Sequence, residues 1–390
     1  MSQKSSVLFL AGFSLFLILY LAAQQSQIPA QVRPPPGFNL TDPESMHWLS
    51  CPEPGQGRKS TFVTADIYGR LGNVVWSYLS VVAAARRYNL RPVIDQQSLD
   101  TLEKEAFDAN FLRVPSVDWL ERTCALGGEL ENAIKFKSKL LTSKERMIRY
   151  LEEWPDAGFA VLKYDFSATD SELTTAFWDE LQNELVLKEK YRRKAANQLQ
   201  ILQKRFQDQT GTDVADVEFV GIHVRRTDYT EHLPHILPGS RAAGPEFFHA
   251  AINWLKEKMR KKTLIFVAVS DDRQWTQENV IGDRPDVFMA GSSDVEEPGE
   301  DLAILAACQH SIFAYGTFGL TAAFLASRPG GHTVLFDPRN GGVTKEMEFG
   351  ANLPLPGWHI MDQHGNLTYQ NTPISFHLYL HPHKDRKWGT

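Results

Sequence analysis

From Phe219 onward, short apolar runs alternate with longer amphipathic stretches, a pattern that predicts crossover units closing into a parallel sheet. Strands are expected at Phe219 to Val224, Leu264 to Val269, Val287 to Ala290, Ser311 to Ala314 and Thr333 to Phe336. Between them, a helix is expected at Pro245 to Lys261, where proline suits the first turn and Phe248, Ile252, Leu255 and Met259 form one apolar stripe. A short helix follows Ser270-Asp271-Asp272, another runs from Glu300 to Gln309, and a third leaves the turn Gly316-Thr317-Phe318-Gly319 and continues through Ala326. This half therefore predicts a doubly wound nucleotide-binding unit, with its ligand crevice along the carboxyl ends of the strands.

The first half is less regular. Thr61 to Ala65 predicts a strand that runs through Gly69-Arg70-Leu71-Gly72-Asn73 into a helix from Val74 to Tyr88, and Arg91 to Ile94 predicts a second strand. The glycines allow close backbone approach where a helix begins, so this turn can face an anion or a sugar; equally, glycine-rich connections are ordinary in α/β folds. Leu173 to Phe206, with Phe177, Leu181, Leu185, Leu187 and Tyr191 at helical spacing, is expected to be a long amphipathic connection between two domains. Its charges Glu189, Lys190, Arg192, Arg193 and Lys194 form a solvated face.

Ahead of both halves, Met1 to Ser6 carries one cation, Lys4, and Val7 to Ala23 is an uncharged apolar run of 17 residues. That length sits at the lower edge for a spanning helix, and a cleavable signal peptide has the same layout. The expectation is a cytosolic tail at 1–6, a signal anchor at 7–23 and a lumenal body. Residues 24–57, rich in proline, form a stalk that cannot bury a core. The remaining divisions are an α/β domain at 58–210 on the acceptor side, a second domain at 211–375 and a tail at 376–390. Two sequons, at Asn39 and Asn366, are candidate glycosylation sites in a lumenal compartment, and Cys51, Cys124 and Cys308 permit at most one disulfide and match no zinc spacing.

A chain of 390 residues is long enough for two α/β domains after such a tail. Its formal charge of -6 argues against sequence-independent nucleic-acid binding, so its arginine pair is a local site and not part of a basic surface. That pair lies in Gly221-Ile-His-Val-Arg-Arg-Thr-Asp-Tyr229, at the carboxyl end of the clearest strand. Arg225 and Arg226 offer planar, permanently charged forks for phosphate oxygens, and Asp228 can accept from one fork and fix its direction. Taken alone the group could be a surface ion pair. The Arg pair, Ser270-Asp271-Asp272 and the Gly316 turn all fall at strand ends, however, and should share one rim. Asp301 could accept hydrogen bonds from guanine or simply complement the dipole of its helix. No Asp-x-Asp occurs and Asp271-Asp272 is a weak metal signal, so cationic side chains are expected in place of a divalent metal.

In the order of its motifs, from about Thr61 to Phe336, the chain resembles glycosyltransferase family 11, the galactoside 2-alpha-L-fucosyltransferases. The resemblance rests on Gly69-Arg70-Leu71-Gly72-Asn73, His223-Val224-Arg225-Arg226-Thr227-Asp228-Tyr229 and Gly316-Thr317-Phe318-Gly319 with the alanine-rich helix after it. It implies a GT-B fold, two Rossmann-like domains facing a cleft, in a single-pass type II protein of the Golgi membrane. The implied reaction is inverting, metal-independent transfer of fucose from GDP-fucose to a galactose hydroxyl on a glycan, with no further cofactor. By analogy Arg225 meets the β-phosphate, His223 and Arg226 shape the site, Asp301 faces guanine, and Thr317 with Phe318 hold the diphosphate side. Arg225, Asp228 and His223 are thus the expected catalytic group, while His223, Arg225, Arg226, Asp301, Gly316, Thr317, Phe318, Arg70 and Asn73 are the expected donor-binding set. Glu231 and His232 join Asp228 as candidates for a general base. Val74-Val75-Trp76 and Thr227 depart from the family's usual residues and bear on acceptor preference rather than donor use. The alternatives are an α1,6- or other-linkage fucosyltransferase, because the His-x-Arg-Arg-x-Asp element is shared with those enzymes, and a lumenal binding protein without turnover.

Overall fold

The computed structural model describes residues 48–51, 61–65, 67, 69–124, 160–164, 174, 176–212, 216–236, 239–292, 297–338 and 357–367. The expected tail and anchor, most of the stalk, Asn39 and the segment 376–390 lie outside the described residues. Among the described residues no helix is long and apolar enough to cross a membrane.

A first sheet sets β1 (Thr61–Ala65) between β2 (Arg91–Pro92) and β3 (Ala160–Tyr164), all parallel. Helix α1 (Leu71–Tyr88) starts three residues before the expected Val74, because Arg70 already holds the extended N-cap conformation. The helix is apolar around most of its circumference, and Val74, Val75, Trp76, Leu79, Val82 and the alanines 83–85 are all buried. Asn89 ends it in the left-handed conformation that asparagine tolerates. β2 is shorter than the expected Arg91 to Ile94, since Pro92 has no N–H for the ladder and Ile94 instead bridges to Ser116. Two helices not foreseen, α2 (Gln96–Glu105) and α3 (Val117–Thr123), carry side-chain caps from Asp95 and Ser116. Cys51 is joined to Cys124 just past α3, and Cys308 stays free and buried.

The expected long connection is broken into α4 (Trp178–Gln182) and α5 (Glu189–Thr210). No glycine or proline interrupts it. The break is made by tertiary contacts: buried Glu184 accepts from Arg86 at 2.8 Å and pairs with Arg113, while Leu187 bridges to Phe107.

The second sheet contains β4 (Val217–Val224), β5 (Thr263–Ser270), β6 (Val287–Met289), β7 (His310–Phe313), β8 (Thr333–Phe336) and β9 (Trp358–Met361). Their order is β6-β5-β4-β7-β8-β9, all parallel. β9 was not foreseen. The chain enters at the centre, winds outward through β6, returns to β7 and winds out the other way. That is the doubly wound order, and its switch point lies between β4 and β7. Helices α6 (Tyr229–Ile236), α7 (Pro245–Lys258), α8 (Arg273–Thr276), α9 (Pro298–Ala307) and α10 (Thr317–Ala326) join these strands. α6 escaped the sequence pattern because it is short and holds Pro234 in its interior.

One apolar core runs through both sheets, from β1 and α1 to β5, β7, α9 and α10. Its seam is aromatic. Phe324 of α10 meets Trp178 edge-on at 4.5 Å and Trp76 at 5.5 Å, and the Gln182 amide donates to the carbonyls of Phe324 at 2.6 Å and Ser327 at 3.1 Å. This seam holds α10 against α1 and α4. The closest approach is at Gly72, where a β-carbon would stand 2.5 Å from Phe318 N and 2.6 Å from the Thr317 carbonyl carbon. Gly72→Ala is therefore expected to push the two helix starts apart and to cost about 1–3 kcal/mol in stability. Chemical denaturation would measure the loss, and an unchanged midpoint would show that the seam yields.

Candidate active site

β4 delivers its carboxyl end, Arg225 and Arg226, to the switch point, where the pleat sends consecutive side chains in different directions. The Arg225 guanidinium lies between two carboxylates. Nη2 meets both oxygens of Asp228, at 2.6 and 2.7 Å, and Nη1 meets Asp271 at 3.1 Å. Beneath it lies an aromatic platform: Arg225 sits 5.5 Å over the Tyr229 ring, Tyr229 stacks on Tyr315 at 4.6 Å, and the Tyr315 hydroxyl donates to the Arg225 carbonyl at 3.1 Å. Arg226 turns away from this group. Its guanidinium stacks on Trp275 at 3.7 Å and donates to the Ala243 carbonyl at 3.3 Å.

Asp271 binds the rim together. Besides Arg225 it accepts from the Arg226 backbone N–H at 2.9 Å and from the Thr227 hydroxyl at 2.5 Å, so the ends of β4 and β5 are joined by one carboxylate. Asp272 caps α8 by accepting from the Trp275 N–H. Both aspartates thus act on protein donors, and among the described residues no cluster of metal-ligating side chains forms.

β7 leads into Gly316, which takes φ 91° and turns the chain into α10. The Thr317 hydroxyl donates to Asn73 Oδ1 at 2.6 Å and the Trp76 indole donates to the Thr317 carbonyl at 3.3 Å, so the amino ends of α1 and α10 meet at one spot. Helix starts carry unpaired N–H groups and favour anions, and here two lie side by side. Arg70, just before α1, is three-quarters exposed and reaches across to Asp228 at 3.7 Å.

His223, two residues before Arg225 on β4, is buried. Phe318 lies against its ring at 5.4 Å, and Gly319 gives it room, for a β-carbon there would stand 2.5 Å from Nδ1. Nδ1 has no hydrogen-bond partner among the described residues. Burial, against a partly offsetting attraction from Asp271, pushes its pKa down to about 4, so the imidazole is neutral near pH 7.

Arg70, Asn73, His223, Arg225, Asp228, Gly316, Thr317 and Phe318 consequently come together at the switch point. Arg226 borders it. Asp301 lies apart from this group, at the carboxyl ends of β5 and β6, where it accepts from the Ser292 N–H at 2.8 Å and sits against Gly291. Burial raises its pKa to about 6, opposed by that hydrogen bond and by Arg273. The sequence reading missed the roles of Tyr229, Tyr315 and Trp275, and it placed Asp271 on the shared rim without foreseeing that it joins β4 to β5. Tyr229 and Tyr315 do adjoin the Arg-Arg-x-Asp and Gly-Thr-Phe-Gly motifs, but nothing in the sequence reveals that they stack. Asn366, the second sequon, is exposed in a turn where its amide donates to Asp362 at 2.9 Å.

Two parallel α/β units thus bring an anchored guanidinium and the starts of two helices to the switch point, the place where open α/β sheets bind their ligands. Residues 132–358 match glycosyl transferase family 11, a span that holds both the Arg-Arg-x-Asp and Gly-Thr-Phe-Gly elements and begins after Gly69–Asn73. Galactoside alpha-(1,2)-fucosyltransferase 1 of Bos taurus is 30% identical over 295 residues, covering 73% of this chain and 71% of the relative. Galactoside alpha-(1,2)-fucosyltransferase 2 of the same species is 38% identical over 116 residues, a stretch that is only 32% of its length. Among solved structures, the alpha-1,6-fucosyltransferase NodZ soaked with GDP-fucose superposes loosely, with TM-score 0.42 and 17% identity over 73% of this chain and 98% of that one. The chain belongs to glycosyl transferase family 11, and it is a transferase enzyme.

Proposed function

We propose that this enzyme transfers L-fucose from GDP-fucose to the 2-hydroxyl of a terminal β-galactoside on a glycan, with inversion and without a divalent metal. The galactoside acceptor, the fucosyl group and the α1,2 linkage are those in the names of its relatives. The single observation that carries the reading is the Arg225 guanidinium at the switch point, anchored by two carboxylates. In such a transfer the acceptor oxygen bonds to C1 of the sugar while the bond from C1 to the diphosphate oxygen breaks. Negative charge builds on the departing GDP and the ring gains oxocarbenium character. Guanidinium and helix amides held in place beforehand stabilise that charge, which accounts typically for about 10²- to 10³-fold in rate per donor. The hydroxyl proton must pass to a base, and Asp228, Glu231 and His232 are the candidates on the Arg225 side. Neutral His223 would act as a polar wall of the donor site rather than as a cation. A lumenal, Golgi location fits the apolar run at 7–23, the sequons and the Cys51–Cys124 bond, which belongs to an oxidising compartment.

The test is to incubate the full chain with GDP-fucose, EDTA and galactose-terminated acceptors and to determine the product linkage by NMR. An α1,2-linked product is expected; a different linkage, or no product with any acceptor, would overturn the reading.

Asp301 makes the guanine assignment testable through pH. A carboxylate that accepts from the base must be ionised, so GDP affinity is expected to fall as the pH drops below about 6. Stability should run the other way. The folded-state pKa of this group is raised, so its contribution is greatest below the ordinary aspartate value and is lost as pH rises through about 6. Asp301→Asn should flatten both profiles, read by calorimetry and by thermal melts. A GDP affinity independent of pH from roughly 5 to 8 in the parent chain would remove Asp301 from the base site, because His223 is already neutral throughout that window.

A further inference from the structure

Arg225 presents a difficulty to any anion that approaches it. Both of its terminal nitrogens are held by carboxylates, Nη2 by Asp228 and Nη1 by Asp271. Around it, the three guanidiniums of Arg70, Arg225 and Arg226 are matched by the three carboxylates of Asp228, Asp271 and Asp272. A diphosphate thus meets a group that is formally neutral and whose Nη2 already donates to Asp228, so it can take a paired grip that includes Nη2 only if that carboxylate withdraws.

The two carboxylates differ in how firmly they are held. Asp271 is 16% exposed and is tied to the Arg226 N–H and the Thr227 hydroxyl, so it cannot leave without undoing the joint between β4 and β5. Asp228 is 46% exposed, and among the described residues its side chain meets only arginines, Arg225 closely and Arg70 at 3.7 Å. Arg70 comes from the other unit of the fold, is itself 75% exposed, and stands ready to take a tighter hold on Asp228.

We propose that Asp228 is a displaceable carboxylate that competes with the donor's diphosphate for Arg225 and moves to Arg70 as the diphosphate binds. The inference rests on the proposed use of GDP-fucose and gives that site a selectivity device. A strong, multiply charged anion dislodges Asp228, and a weakly charged one does not. Asp228 thereby serves as a positioning residue: it keeps the Arg225 fork aimed into the cleft until the diphosphate replaces it, and afterwards it links the two units across the cleft.

Calorimetry on the full chain with GDP, inorganic pyrophosphate and guanosine tests the idea. Asp228→Asn keeps the shape and one acceptor oxygen but removes the charge. It should tighten both GDP and pyrophosphate roughly tenfold, the scale of one partly screened charge a few ångströms from the site, and leave guanosine unchanged. Arg70→Gln should weaken pyrophosphate binding several-fold in the parent chain and have no effect beside Asp228→Asn, because its effect passes through that carboxylate. Equal or weaker pyrophosphate binding by Asp228→Asn would overturn the proposal, as would additive effects of the two substitutions. A parent chain that binds pyrophosphate but not GDP would sink the donor assignment instead, and the pyrophosphate comparison would still decide the role of Asp228.

Discussion

Replacing Arg225 with lysine should lower kcat/KM for fucosyl transfer by about 10²- to 10³-fold, close to the loss from alanine, while the fold survives. Lysine keeps the charge but not the geometry. An ammonium is a single point of charge, whereas the guanidinium meets Asp228 through Nη2 and Asp271 through Nη1 and rests its flat face 5.5 Å over Tyr229. With lysine neither the aim of the cation nor its paired contact with a diphosphate would be kept. Stability should change little, because the Asp271 carboxylate retains the Arg226 N–H and the Thr227 hydroxyl. Steady-state kinetics beside a denaturation curve makes the comparison, and a lysine variant working near the parent rate would show that charge alone suffices.

The second large effect is expected at Asp271. Alanine there removes the acceptor for the Arg226 N–H and the Thr227 hydroxyl together with the ion pair to Arg225 Nη1, in a place where the side chain is 16% exposed. Leaving such donors unpaired should cost roughly 3 kcal/mol in stability, and loosening the end of β4 should lower activity by about 10²-fold. Asparagine can still accept from the backbone N–H and should recover most of the stability but less of the activity. Should alanine leave both untouched, Asp271 would not be the joint between β4 and β5. The same chemical group three residues past Arg225, at Asp228, is expected to raise nucleotide affinity when its charge is removed. One carboxylate is built into the rim; the other only leans on it.

Much of this architecture was legible in the sequence. β8 was read residue for residue, and β4, β5 and β7 to within two residues at each end, because buried parallel strands are continuous apolar runs bounded by charge or glycine. The start of α7 at Pro245 was equally plain, since proline is suited to the first turn. β9 and α6 were missed: the first is a short run after a long stretch without periodicity, and the second holds a proline inside. The break between α4 and α5 had no local signal at all, because buried Glu184 and its arginines come from distant parts of the chain.

For the site, residue chemistry alone named the phosphate-facing groups. Two arginines and an aspartate at the end of a strand, a glycine turn opening a helix, and a second glycine turn earlier in the chain all carried their meaning locally, since side-chain charge and glycine's backbone freedom do not depend on context. Which partner each of them has was decided only by tertiary structure. The crossing of α1 over α10 at Gly72, the stack of Tyr229 on Tyr315, the burial that keeps His223 neutral, and the division of labour between Asp228 and Asp271 all depend on distances between segments far apart in the chain. Sequence determines what each group can do; its charge state, its aim and its freedom to move follow from the neighbours that packing gives it.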